Sequence, residues 1–333
     1  PYLRGVLLEL CFPQLINTSC RNLLQHPTEN TFLYFLLSVI SFLTVALNLL
    51  VIISISHFRQ LHTPSNLFLL SLAVSDFLVG LLLMPKQVFL KGGCWGLGSF
   101  MCGVLIYVAY IITSASVGNM VLISADRYVA ICDPLQYQTK VTTRRVKICV
   151  CVCWLCAVFY NGLILKDHLN NPDRFNSCVG ECTAVIDFQT GVFDVILTFI
   201  GPITVIIVLY MRVFVVAVSQ ARAMRSHIAS VTLHGSVPVT AKKSERKAAT
   251  ALGVVVLVFL ICFCPYYYPS LAGEDMSFST QFSVFGIWLF YVNSCLNPMI
   301  YAFFYPWFRK SLKHIVSLQI LQPFSCDNDF PQL

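Results

Sequence analysis

The chain has 333 residues, of which 57% are hydrophobic and 11% charged, and its formal net charge is +7. Soluble domains carry about 25% charged residues, so this composition excludes a water-soluble enzyme or binding domain and points to a membrane protein. The positive charge is divided among short segments beside apolar runs, which disfavours a nucleic-acid surface.

Seven runs are long enough to cross ~30 Å of hydrocarbon. They cover roughly 32–56, 65–90, 101–125, 148–166, 190–211, 249–272 and 282–305. The expected fold is an all-α membrane protein, a seven-transmembrane helix bundle over 32–305. Residues 1–31 precede it as an extracellular segment, and 306–333 follow as a short amphipathic helix and cytoplasmic tail. Segment 1–31 carries the glycosylation sequon Asn17-Thr18-Ser19 and no signal-peptide pattern. Span one contains Asn48, span two Asp76 and span four Trp154. Span three ends in "SADRYVAICDPLQY", span six contains "FLICFCPYYYP" and span seven "NSCLNPMIY". Span five contains "VFDVILTFIGP", with Asp194 eight residues before Pro202. The segment "FYPWFRKSLKHI" mixes apolar and basic residues and reads as a helix lying on the inner membrane surface.

Fifteen basic residues follow spans one, three, five and seven, against six on the opposite side, so the N-terminus is expected outside and the C-terminus in the cytoplasm. Six cysteines then lie outside: Cys11, Cys20, Cys94, Cys102, Cys178 and Cys182. An even number in an oxidising compartment predicts three disulfides, with 15 connectivities open. The remaining cysteines read as small apolar residues, with Cys326 a candidate for acylation.

Two charges interrupt the central parts of the spans, Asp76 and Asp194. An ionisable residue at membrane depth is costly, by ~2.5–3.5 kcal/mol on insertion scales, and by default marks a site. The plainer reading of Asp76 is a protonated or water-solvated carboxyl. For Asp194 it is a solvated residue near the membrane surface.

The ordered set of Asp126-Arg127-Tyr128, Trp154, Asn48, Asp76, the span-six motif and Asn297-Pro298 with Tyr301 resembles the rhodopsin-like G-protein-coupled receptors over nearly the whole chain. The stretches "TVALNLLVIISISHFRQLHTPSNLFLLSLAVSDFLVGLLLMP", "KKSERKAATALGVVV" and "CFPQLINTSC" are similar to fish trace amine-associated receptors. That family is mostly olfactory in fish and detects amines. The resemblance implies a plasma-membrane receptor, in the cilia of olfactory neurons, with a small amine as ligand. Its partner would be a heterotrimeric G protein of the stimulatory or olfactory type, acting through cyclic AMP. It implies a disulfide between Cys102 and Cys182, and on the family pattern Cys11 is paired with Cys178 and Cys20 with Cys94. It implies a sodium ion, as allosteric modulator, on Asp76, Ser116, Asn293, Ser294 and Asn297.

Amine receptors typically carry an aspartate on span three, five turns before the arginine of the Asp-Arg-Tyr motif. Eighteen residues before Arg127 stands Ala109. A group of fish trace amine-associated receptors exchanges this acid for one on span five, which makes Asp194 the expected counter-ion of the ligand ammonium. Aromatic faces attract cations by ~0.5–2 kcal/mol each. Tyr266, Tyr267, Tyr291, Trp288 and Tyr110 are the pocket candidates, with ordinary packing the alternative for each. Phe263 stands where most relatives carry Trp. On the inner side, Arg127 is the expected G-protein contact, held inactive by Asp126 and Glu245, with Tyr210 and Tyr301 as later partners.

Other classes fit less well. A transporter favours internal repeats, and none is present. An intramembrane enzyme needs paired carboxylates, His-x-x-x-His or a Ser/His set at membrane depth, and the spans contain none of these. Within the receptor class the alternative is an internal neuromodulatory monoamine receptor.

Overall fold

The computed structural model describes residues 8–23, 27–91, 94–171, 176–184, 186–230, 253–267 and 281–322. Backbone polar groups in hydrocarbon must be satisfied within their own segment, so the apolar runs become helices. Span one is Pro27–His57, span three Gly98–Cys132, span four Thr143–Ile164 and span seven Gln281–Phe304. Span two joins Pro64–Leu78, a π-helical turn Val79–Leu83 and Met84–Lys91. Span five joins Phe188–Val195, a π-helical turn Ile196–Ile200 and Gly201–Ser230. Span six is described over Gly253–Tyr267, a shorter apolar helix beside six that are long and apolar enough to cross a membrane.

Several helices outrun their apolar stretches. Span three exceeds the expected 101–125 at both ends, and span five continues to Ser230 instead of stopping near 211. Adding a residue to an existing helix is easier than starting one, so the hydrogen-bond ladder runs on into polar sequence.

The two π turns have a common setting. Pro85 and Pro202 are each the second residue of the helix that follows a π turn. Proline has no N–H, and its ring excludes the carbonyl four residues earlier. The wide turn relieves that clash and inserts a residue, so Phe188–Val195 is out of phase with the rest of span five. Asp187 caps the outer segment of span five, accepting the Thr190 N–H at 3.0 Å. Hydrogen bonds from Thr190 hold the Asp187 carboxyl below the usual carboxylate range.

Span three packs against spans two, four and five. Trp154 Nε1 donates to Ser71 Oγ at 3.0 Å, and Ser71 donates to Asn119 Oδ1 at 2.8 Å, tying spans four, two and three together. Asn48 Nδ2 donates to the Ser294 carbonyl at 2.9 Å and so joins spans one and seven. Span seven approaches span six closely at Gly286, where an added methyl would lie 3.0 Å from Pro265 O and Tyr266 Cα.

The end of the bundle beside residues 8–23 is closed by a cap. Strand β1 (Leu8–Leu10) pairs antiparallel with β2 (Arg21–Leu23). Ser19 bridges to Val179 in the second outer loop. Cys102 is joined to Cys182. The other two bonds are Cys11–Cys94 and Cys20–Cys178, the reverse of the expected Cys11–Cys178 and Cys20–Cys94. The backbone explains the exchange. Cys20 N donates to Val179 O, and Val179 N donates to Thr18 O, which lays Cys20 alongside Cys178. Trp95 N donates to Gly180 O, which brings Cys94 to the far side of the loop, where Cys11 lies beside Gly180. Asn17 is exposed on this cap.

After span seven, Pro306–Val316 forms the amphipathic helix, with Trp307, Phe308 and Ser311 buried and Arg309 and Lys313 exposed. Arg309 turns back to donate to the carbonyls of Ala302 and Phe303 at 2.9 and 2.8 Å, satisfying orphan groups at the end of span seven.

Candidate functional site

Asp194 is half-buried near the end of Phe188–Val195, directly before the π turn. Its Oδ1 accepts from the Tyr160 hydroxyl of span four at 2.8 Å. Its backbone carbonyl accepts from Thr198 Oγ1 at 2.7 Å. Among the described residues no basic side chain forms an ion pair with it. Span three packs against the π turn that follows it, and Phe199 within that turn stacks on Tyr267 of span six.

The aromatic residues form one connected wall. Phe199 stacks on Tyr267 with ring centroids 4.1 Å apart, and Tyr267 meets Tyr266 edge-on at 5.0 Å. Tyr266 lies 5.5 Å from Phe290, which in turn meets Tyr291 at 5.5 Å. Tyr291 bonds to the side chain of Gln87 on span two. Phe263 is buried beneath, 4.0 Å from Phe259 and 4.9 Å from Phe290. Trp288 is half-buried on span seven and packs against the main core. The wall therefore runs from Asp194 on span five through spans six and seven to Gln87. Tyr160, Phe199, Phe290 and Gln87 were not legible as site residues. Span four reads as lipid-facing, and the π turn upsets any helical phase drawn through span five.

Deeper in the bundle, Asp76 is fully buried. Its Oδ2 accepts from Asn297 Nδ2 at 2.8 Å, and the Ser294 hydroxyl also bonds to the carboxyl. Among the described residues Asp76 Oδ1, Asn293 Oδ1, Asn297 Oδ1 and Asn48 Oδ1 have no hydrogen-bond partner. Ser116 is buried on span three. Buried polar atoms are nearly always satisfied, and a set of orphan oxygens around a carboxylate suits a hard cation.

Near the end of span three away from the cap, Arg127 is enclosed. Its Nε donates to Asp126 Oδ2 at 3.0 Å, and a terminal nitrogen reaches Asp126 Oδ2 and Ser65 Oγ. Ser65 donates to Asp126 Oδ2 at 3.0 Å. Tyr137, on the helix Pro134–Lys140, donates to Asp126 Oδ1 at 2.8 Å and lies 2.9 Å from Ser65 Oγ. Burial, then the Asp126 charge, pushes the Tyr137 hydroxyl up to about 12, so it stays protonated and remains a donor. Tyr128 does not join the cluster; it is exposed on the surface of the bundle. Tyr210 and Tyr301 have no hydrogen-bond partner for their hydroxyls among the described residues. Pro298 lies within span seven, one turn before Tyr301. Glu245 lies outside the described residues.

Spans packed around a central third helix, an arginine enclosed at its inner end and a polar cluster at mid-depth define a seven-transmembrane receptor. The sequence pattern of the 7 transmembrane receptor (rhodopsin family) matches residues 47–301. Trace amine-associated receptor 13c of Danio rerio is 39% identical over 96% of this chain and 95% of its own length. Trace amine-associated receptor 6 of Pan troglodytes is 38% identical over 95% and 94%, and trace amine-associated receptor 1 of Mus musculus 37% over 95% and 97%. The chain belongs to the trace amine-associated receptors of the rhodopsin family, a class of receptors and not of enzymes.

Proposed function

We propose that the chain is an olfactory receptor for small amines, in which Asp194 binds the ligand ammonium and a stimulatory or olfactory G protein carries the signal to cyclic AMP. The observation that carries this is the isolation of Asp194: a half-buried carboxylate with a neutral hydroxyl as partner and no ion pair among the described residues. Span three offers no acid at the depth where amine receptors keep one, since Ala109 stands there. The connected aromatic wall suits a cation with an apolar tail. Asp76, Ser116, Asn293, Ser294 and Asn297 would hold a sodium ion, and that cation would supply the positive charge that the buried carboxylate lacks. On this reading the bundle lies in the plasma membrane with the N-terminus outside and the Arg127 cluster toward the G protein.

Asp194→Asn tests the assignment. Removing one partner of a buried charged pair costs ~2–5 kcal/mol, at least ~30-fold in affinity. Loss of the cyclic-AMP response to an amine panel, at unchanged surface expression, is expected. A potency within threefold of wild type for every responding amine would overturn it.

A further inference from the structure

We infer that Tyr160 is the positioning residue of the amine site, holding Asp194 by one carboxylate oxygen and leaving Oδ2 as the acceptor for the ligand. This rests on the assignment of the ammonium to Asp194.

The Tyr160 hydroxyl is delivered from a fixed platform. Its neighbour Asn161 is fully buried, and Asn161 Nδ2 donates to Ala157 O at 2.7 Å, Ser114 Oγ at 3.0 Å and Tyr110 O at 3.4 Å. Tyr107 donates to Val158 O at 2.9 Å. Residues 157–162 of span four are thus stitched to span three beside Tyr110, and Tyr160 reaches from them across to span five. A binding group held in place by supports with their own locked rotamers is pre-organised and loses less entropy when the ligand arrives.

The chemistry of the support matters as much as its reach. A carboxylate at this depth needs a partner to be held in one orientation. A lysine or arginine would hold it but would also take the place of the ligand ammonium. A neutral hydroxyl donates to one oxygen and leaves the negative charge uncompensated. Asp194 Oδ2 is then the acceptor for a single N–H of an ammonium, and the tail lies along the aromatic wall.

The test pairs potency with a ligand-free signal. Tyr160→Phe is expected to lower the potency of linear alkylamines about tenfold, the order expected for losing one charge-assisted hydrogen bond's worth of orientation. The factor is expected to be the same for every chain length, because the change is at the charge and not along the tail. Surface density and maximal response are expected to stay as in wild type. Infrared spectra of purified receptor without amine supply the second readout: Asp194→Asn removes the Asp194 carboxylate band, and Tyr160→Phe shifts it. An unshifted band would mean the hydroxyl does not hold the carboxylate, and the inference falls. A shifted band with unchanged potency would overturn the positioning role while the ammonium assignment stands. If Asp194→Asn itself leaves potency unchanged, the ammonium assignment falls and the inference with it.

Discussion

Tyr137→Phe should make the receptor active without ligand. In the closed cluster at the inner end of span three, Asp126 Oδ1 accepts from Tyr137 and from no other donor among the described residues. The carboxylate is almost fully enclosed, with 3% of its side chain exposed, so water does not replace the lost donor. A buried acceptor left without its partner costs ~1–3 kcal/mol. The same substitution removes the Tyr137 link to Ser65, which holds the short Pro134–Lys140 helix against span two. If the closed cluster is the inactive form, its advantage over the active form falls by that amount, a factor of ~5–150. With an active fraction on the order of 1% at rest, basal signalling should rise at least about fivefold. The assay is ligand-free cyclic AMP, normalised to receptor counted at the cell surface. Basal activity within twofold of wild type at equal surface density would refute the role given to Tyr137.

Three further outcomes are expected. Sodium should raise the melting temperature of the purified receptor by a few degrees relative to choline at equal ionic strength, as a ligand at tenfold its dissociation constant stabilises by ~1.4 kcal/mol; Asp76→Asn should abolish the difference, and an equal sodium effect in both proteins would place the ion elsewhere. Gly286→Ala puts a methyl 3.0 Å from backbone atoms of span six that cannot rotate away, so a loss of ~1–3 kcal/mol is expected, read as lower thermal stability; an unchanged melting curve would contradict the close approach of spans six and seven. His168 is buried beside Lys86, and burial, then the Lys86 charge, lowers its pKa. The unfolded chain therefore takes up this proton first, so the stability is full above ~6.5 and is lost as pH falls through the lowered native value; melting temperature should drop between pH 7.5 and 5, less steeply in His168→Gln, and parallel curves would remove His168 as the cause.

Much of the bundle was legible because hydrocarbon imposes a simple rule on sequence. Asp194 and Asp76 stood out for the same reason, as charges where transfer from water is unfavourable. What escaped was geometry that depends on neighbours. Consecutive helical residues point about 100° apart, so Asp126, Arg127 and Tyr128 cannot all face one cluster, and it is Tyr128 that faces out. The π turn at Ile196–Ile200 shifts the phase of Asp194 against the rest of span five, and no apolar periodicity reports it. Tyr160 sits in a span whose composition speaks of lipid, and its partner is 34 residues away on another helix. The cysteine pairing depended on a three-residue ribbon and one bridge at Val179, features too short to read from composition.

The outer cap also imposes a timetable on biosynthesis. With the N-terminus outside, as proposed, Cys11 and Cys20 enter the secretory lumen first, yet their partners lie 83 and 158 residues further along. At ~5–20 residues per second of synthesis, Cys20 waits roughly 8–30 s for Cys178 to be made. Throughout that interval its nearest thiol is Cys11, whose N–H bonds to the Cys20 carbonyl in the finished cap. A premature Cys11–Cys20 bond is therefore the natural trap, and reaching the final pairing from it requires thiol exchange after the second outer loop has crossed. Cells with weak disulfide-exchange capacity should accumulate this receptor as an immature chain in the endoplasmic reticulum, with its helices inserted and its cap closed on itself.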